Sequence, residues 1–187
     1  MTAWRAVLLA GGRSSRMGTD KALLPWGAGT LLTHMQALLI AAGADEVIVS
    51  GDRPDLGGVP DATPGTGPMG ALAQLAPRLR QGAWIVVPVD MPLLSADLLH
   101  ALLAADAACA CVEGHALPMM LRMDRDVRAA MQSVGARSGR ECSLRALQQG
   151  IETRQLPPAR WQQALRNCNT PDDWIALQQS VTQARSN

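Results

Sequence analysis

Apolar and polar positions along the chain alternate between two rhythms. Residues 4–9 are apolar except for Arg5 and end at Gly11-Gly12, the pattern of a strand buried on both faces. Residues 30–42 then carry Leu31, Leu32, Met35, Leu38 and Leu39 at helical spacing, and Gly43 stops the run. Residues 46–50 read as a second strand. Pro68 opens a helix through Met69, Leu72, Leu75 and Leu79. Residues 83–89 form a third strand, apolar throughout, with Pro88 near its end. Ser95 caps a helix built on Leu98, Leu99, Leu102 and Leu103. Residues 107–112 are a fourth strand, and residues 118–121 can pair with it across the Glu113-Gly114 turn. Helices follow at 127–134 and 143–149, then a strand at 151–156. The last helix has Thr170 as cap, Pro171 in its first turn and Asp172 and Asp173 at the positive end of its dipole. The end is expected to fray from Gln183.

Apolar strands separated by helices imply an α/β protein, its mostly parallel sheet covered on both faces in three layers. The 187 residues suit a single domain spanning 1–187. Ligands of such sheets sit beyond the carboxyl ends of the strands. Polar motifs fall there: the glycines after the first strand, Ser50 after the second and Asp90 after the third.

Composition narrows the ligand. The net charge is +1 and the charges are mixed, which argues against a broad nucleic-acid or membrane surface. Tyr and Phe are absent, so any stacking platform for single strands would have to come from five scattered Trp residues. The four cysteines contain no CxxC pair, which disfavours structural zinc. Cys109 and Cys111 alternate in an apolar run and are expected on one face in the core. His34 and His100 lie on helices and read as surface or packing residues. Reduced cysteines, no signal peptide and no apolar run near 18 residues fit a cytoplasmic protein.

The most informative stretch is Leu8 to Leu24, LLAGGRSSRMGTDKALL. A buried strand that breaks into glycines presents backbone N–H groups that an anion can approach closely. Arg16 and Lys21 add fixed positive charge. Together they make a trap for a polyphosphate. The spacing is neither a P-loop, since Thr19-Asp20-Lys21 follows Gly18, nor a dinucleotide fingerprint, since Gly11 and Gly12 are adjacent. The plain alternative for the glycine pair alone is a basic surface turn.

The string Leu9-Ala10-Gly11-Gly12, Arg16-Met17-Gly18, Asp20-Lys21 resembles the signature loop of the molybdenum cofactor guanylyltransferase (MobA) family. Cytidylyltransferase relatives tend to read LAAG there. The resemblance implies a Rossmann-like nucleotidyltransferase fold and extends along the chain. Asp90-Met91-Pro92 matches the family's D-x-P element, which makes Asp90 the magnesium ligand; on its own residues, Asp90 reads equally as a cap of the turn before Pro92. Ser50 stands where the family has a polar residue that contacts base or ribose, with Arg53 just after it. Asp61 matches an Asp before the GP turn. Gly67-Pro68-Met69-Gly70 matches that turn, beside the guanine, or is a plain helix start. Asn167-Cys168-Asn169-Thr170-Pro171 matches N-x-N-T-P, where the Asn pair lies toward the acceptor. Leu117 departs from the family, which often has His before Pro118.

The activity implied is transfer of GMP from GTP to molybdopterin with loss of pyrophosphate. The backbone from Leu9 and Ala10 through Gly11 and Gly12 to Arg16 would cradle the phosphates, Arg16 and Lys21 would offset developing charge, and Asp90 would hold Mg²⁺. GTP and molybdopterin are the expected partners, with transient contacts to enzymes that supply and accept the cofactor. The protein is expected to be a monomer with no nucleic-acid or membrane partner. A cytidylyltransferase and a non-catalytic nucleotide-binding module are the alternatives.

Overall fold

A computed structural model describes residues 3–11, 20–63 and 65–186, with 181–186 described for backbone alone. In chain order the elements are β1 (Trp4–Leu9), β2 (Pro25–Trp26), β3 (Gly29–Thr30), α1 (Leu31–Ala41), β4 (Ala44–Ser50), α2 (Gly67–Leu75), β5 (Gly82–Pro88), α3 (Ala96–Leu103), β6 (Cys109–Val112), β7 (Met119–Met123), α4 (Arg125–Gly135), α5 (Leu144–Gly150), β8 (Thr153–Leu156) and α6 (Pro171–Ser186). The two expected caps form, Ser95 accepting Leu98 N–H and Thr170 accepting Asp173 N–H, and Thr30 and Ser143 cap α1 and α5 in the same way.

Six strands make one sheet in the order β4-β1-β5-β7-β6-β8. β1 pairs parallel with β4 and β5, and β6 pairs parallel with β8, while β7 runs antiparallel to both β5 and β6. Leu9 is level with both Ser50 and Pro88. The carboxyl ends of β1, β4 and β5 therefore open on one edge of the sheet.

Strand alternation divides the core into two layers. Ala6, Leu8, Ile85, Val87, Ala110, Val112 and Met120 pack with α1, α3 and Leu177 of α6. Val7, Leu9, Trp84, Val86, Cys109, Cys111, Met119 and Leu121 pack with α2, α4 and α5. The three-layer expectation and the placing of both cysteines on one face hold. Burial pushes the Cys109 thiol up to about 12, so it is an inert packing group. His34 and His100 pair with the backbone oxygens of Pro92 and Ala42, each at 2.9 Å, as packing residues do.

Some boundaries differ from the sequence expectation. α2 ends at Leu75, before Leu79, because Pro77 has no N–H to continue it; Leu79 is buried all the same. The strand expected at 118–121 runs to Met123 and is inserted between β5 and β6. Its side chains explain this: Met119, Leu121 and Met123 enter one core layer and Met120 the other, so the strand needs cover on both faces. The α6 backbone stays helical to Ser186, beyond the fraying expected from Gln183. The β2–β3 hairpin, turning at Gly27 with φ 59, carries no sequence signal long enough to read. Among the described residues, no helix is long and apolar enough to cross a membrane.

Candidate active site

At the end of β1 the ladder runs one residue further: the Ala10 amide donates to Ser50 O at 2.8 Å. Amides open to an anion therefore begin no earlier than Gly11, which corrects the expectation that Ala10 N–H joins the cradle. Gly51, with φ 137, lies so close that a Cβ there would fall 2.8 Å from Gly11 N. Only glycine adopts that φ and leaves room for the neighbouring strand end. A Cβ on Gly11 would in turn fall 3.2 Å from Asp61 Oδ2. Asp61 thus stands directly behind Gly11, and Ser50, only 2% exposed, points its hydroxyl toward Asp61 Oδ1 at 3.5 Å.

Lys21 enters from a single 3-10 turn, Lys21–Leu23, which Asp20 caps by accepting Ala22 N–H at 3.0 Å. Its ammonium donates to Asp90 Oδ2 at 3.1 Å and to Asn169 Oδ1 at 2.7 Å. Asp90 follows β5, where Val89 N donates to Leu9 O at 3.0 Å. The Asp90 carbonyl accepts Cys168 N–H at 2.9 Å, which seats the segment before α6 against the end of β5. Asp173 completes that seat. Its Oδ2 accepts the amides of Asn169 at 3.1 Å and Thr170 at 2.9 Å, and its own amide donates to Thr170 Oγ1 at 3.2 Å.

The protonation of this seat follows its surroundings. The Thr170 hydroxyl first, then the backbone amides it caps and the charge of Lys21, hold the Asp173 carboxyl below its ordinary value. Burial, reinforced by the charge of Asp90, pushes the Cys168 thiol up to about 11. Cys168 is therefore a neutral wedge beneath Asp90 rather than a nucleophile.

A cleft of about 230 Å³ opens above these groups, lined among others by Leu9, Gly11, Asp20, Lys21, Pro68, Asp90 and Leu117. Its walls come from the ends of β1 and β5, the turn at Lys21, the start of α2 and the turn before β7.

Residues 6–153 match the model of the MobA-like NTP transferase domain. The chain belongs to this family. Within it, a molybdenum cofactor guanylyltransferase of Xanthomonas euvesicatoria is 48% identical over 177 residues, covering 93% of this chain and 94% of the relative. Among solved structures, a nucleotidyl transferase of Methanothermobacter superposes with a TM-score of 0.76 at 18% identity over all of both chains. Molybdopterin-guanine dinucleotide biosynthesis protein A of Archaeoglobus fulgidus gives 0.74 at 14% identity, over 96% of this chain and 99% of that one. At those identities the two structures speak for the fold, which is that of nucleotidyltransferases.

Of the residues expected at the site of this NTP transferase, Leu9, Ala10, Gly11, Lys21, Pro68 and Asp90 line one cleft. Asn169 reaches it through Lys21. The Asp90 side chain crosses to Lys21 instead of capping its own turn. Ser50 and Asp61 sit behind Gly11 and do not line the cleft. Gly67, at φ 71, is the exposed residue before Pro68. Asn167 is exposed, so the Asn pair divides, one toward Lys21 and one toward solvent. Gly12 and Arg16 lie outside the described residues. Sequence reasoning passed over the Asp173 seat, although an acid three residues after a Thr cap is a known sign of it. It also gave Arg53 no task of its own.

The family resemblance implies Mg²⁺. Among the described residues no three His, Cys, Asp or Glu side chains converge as a metal cage. Mg²⁺ asks for less: one or two carboxylates, with phosphate oxygens and water completing the octahedron. Asp90 lines the cleft and meets Lys21 through Oδ2, one of its two oxygens, whereas both oxygens of neighbouring Asp20 are engaged by Ala22 N–H and by Arg53. The donor set fits.

Proposed function

We propose that this protein transfers GMP from GTP to molybdopterin, releasing pyrophosphate and forming molybdopterin guanine dinucleotide. The convergence of Lys21, Asp90 and Asn169 beside Gly11 carries the reading, together with membership of the NTP transferase family and the likeness to a guanylyltransferase over most of the chain.

In the reaction, an oxygen of the acceptor's terminal phosphate attacks the α-phosphorus of GTP. The new P–O bond forms as the bond to the β-phosphate oxygen breaks, and both electrons leave with pyrophosphate. The attacking phosphate is already ionised at neutral pH, so no general base is needed. What the protein supplies is position and charge. Gly11 brings bare backbone against the phosphates. Lys21, held by Asp90 and Asn169, meets charge as it builds on the phosphoryl oxygens and on the leaving group. By the sequence match, Arg16 adds a second cation. Asp90 would hold Mg²⁺, which supplies neutralisation of phosphate oxygens when bound. By the sequence match, Ser50 and Asp61 would serve the nucleoside, Gly67 and Pro68 would offer backbone to the base, and of the Asn pair Asn169, which reaches Lys21, would stand toward the acceptor. All four cysteines are free thiols, which suits the reducing cytoplasm.

The test is pyrophosphate release by the purified protein with GTP, Mg²⁺ and molybdopterin, alongside thermal stabilisation by each nucleoside triphosphate. Release dependent on both substrates, with GTP the stabilising nucleotide, is expected. Stabilisation by CTP alone would move the protein to the cytidylyl branch. Nucleotide binding without turnover would make it a binding module.

A further inference from the structure

We propose that Arg53 is a positioning residue for the triphosphate, acting through both ends of the glycine-rich stretch at once. Its guanidinium donates from Nη2 to Ala10 O at 3.3 Å and pairs with the Asp20 carboxylate, while Nη1 donates to Asp52 O at 3.1 Å. Ala10 immediately precedes Gly11, and Asp20 immediately precedes Lys21. One side chain from the loop after β4 thereby sets the separation between a backbone cradle and an ammonium, the two groups that would share one polyphosphate. The proposal rests on the guanylyl-transfer reading for its ligand and goes beyond it in the residue it names.

Three features single out this arginine. It is mostly buried, with 19% of its side chain exposed, yet it is not among the residues lining the cleft, so it would act through others. Its own backbone is pinned: Arg53 O accepts Leu56 N–H at 3.0 Å and Gly58 N–H at 2.7 Å. A Cβ on Gly58 would fall 2.6 Å from Arg53 Cβ, so glycine is what lets the loop close on it. Asp20 is fixed as well, because its other oxygen caps the turn that carries Lys21. A planar fork of donors can serve two acceptors in fixed directions, which a lysine point charge cannot do.

The experiment compares Arg53→Gln, Asp20→Asn and the double variant with the wild-type chain. GTP binding with Mg²⁺ is measured by titration, and KM for GTP, KM for molybdopterin and kcat by pyrophosphate release. Asp20→Asn keeps an oxygen for Ala22 N–H and removes the charge that pairs with Arg53, so it tests the clamp even where Arg53→Gln folds poorly. Each single variant is expected to weaken GTP binding and raise its KM about tenfold, equivalent to ~1.4 kcal/mol, with KM for molybdopterin unchanged. The double variant should be no worse than the weaker single, because both remove one interaction. Wild-type GTP affinity in Asp20→Asn would overturn the proposal, and so would full additivity or an equal rise in both KM values. If the wild-type chain binds CTP in place of GTP, guanine choice falls while the same comparison, run with CTP, still decides Arg53. If it binds no nucleotide, both proposals fall.

Discussion

Two polar hollows flank β7, and they are held together differently. On the β4-β1-β5 side, side chains answer side chains across long stretches of chain: Lys21 meets Asp90, 69 residues on, and Asn169, 148 residues on. On the β6-β8 side lies a hollow of about 280 Å³, lined among others by His115, Arg145, Gln148 and Gln155. There the side chains answer backbone. Arg145 donates to Gly114 O at 3.0 Å, Gln148 to Ala116 O at 3.0 Å, and Thr153 Oγ1 to Gln148 O at 2.7 Å. The first two bonds fasten the 113–117 turn to α5 and the third fastens the start of β8 to the same helix, each giving a backbone carbonyl a partner. The polar groups around the larger hollow are spent on holding neighbouring segments together. The smaller one concentrates ionic groups that a charged ligand can compete for. Size therefore says less than the kind of partner each polar group has.

The comparison breaks most sharply at Asp90. Asp90→Ala is expected to abolish Mg²⁺-dependent transfer, read as pyrophosphate release across a magnesium titration; an unchanged magnesium dependence would place the ion elsewhere. Lys21→Ala should lower kcat by about 10²-fold or more while circular dichroism shows the fold intact. Full activity would remove Lys21 from the chemistry. Asn169→Ala leaves Lys21 with Asp90 but without the carbonyl at 2.7 Å, and a loss of about tenfold in kcat/KM for GTP is expected, in line with a hydrogen bond to a charged group.

Acid gives a smaller, graded effect. Asp173 is held below its ordinary value of 3.8, so its seat is intact above that pH and weakens as pH falls through the lower folded value. The protection factors of the Asn169 and Thr170 amides, taken relative to the intrinsic exchange rate at each pH, should fall there ahead of global unfolding. Protection factors that stay constant down to that range would mean the seat does not depend on the carboxylate. Arg145→Ala on the far side should leave GTP affinity unaltered and cost about 0.5 kcal/mol or less in a denaturant titration. A marked loss of GTP binding would erase the distinction between the two hollows.

Much of the architecture could be read from particular residues. Ser95 and Thr170 announce their helices because a cap is a local bond, complete within four residues. Residues 4–9 and 83–89 announce central strands because burial on both faces leaves no polar alternation. The insertion of β7 could not be read, since Pro118 to Leu121 suits either a hairpin edge or a central strand until both neighbours are known. The apolar spacing runs on to Leu79 and so hides the stop that Pro77 imposes after Leu75. At the site, the glycines, Lys21 and Asp90 were legible from their order. Asn169 was legible as a residue but not as the partner of Lys21, and Arg53 had no local mark, because its partners Ala10 and Asp20 lie far back along the chain.

From sequence alone came the layered α/β plan, the family and the inventory of charged groups, because periodicity, caps and an ordered motif are short-range properties of the chain. Only the folded molecule decided which charge faces which. It set Lys21 between Asp90 and Asn169, withdrew the Ala10 amide into the ladder, turned Ser50 toward Asp61, and tied Ala10 and Asp20 to one guanidinium. Those choices depend on strand register and on loops closing over tens of residues, where an ion pair at about 3 Å requires every intervening element to be in place.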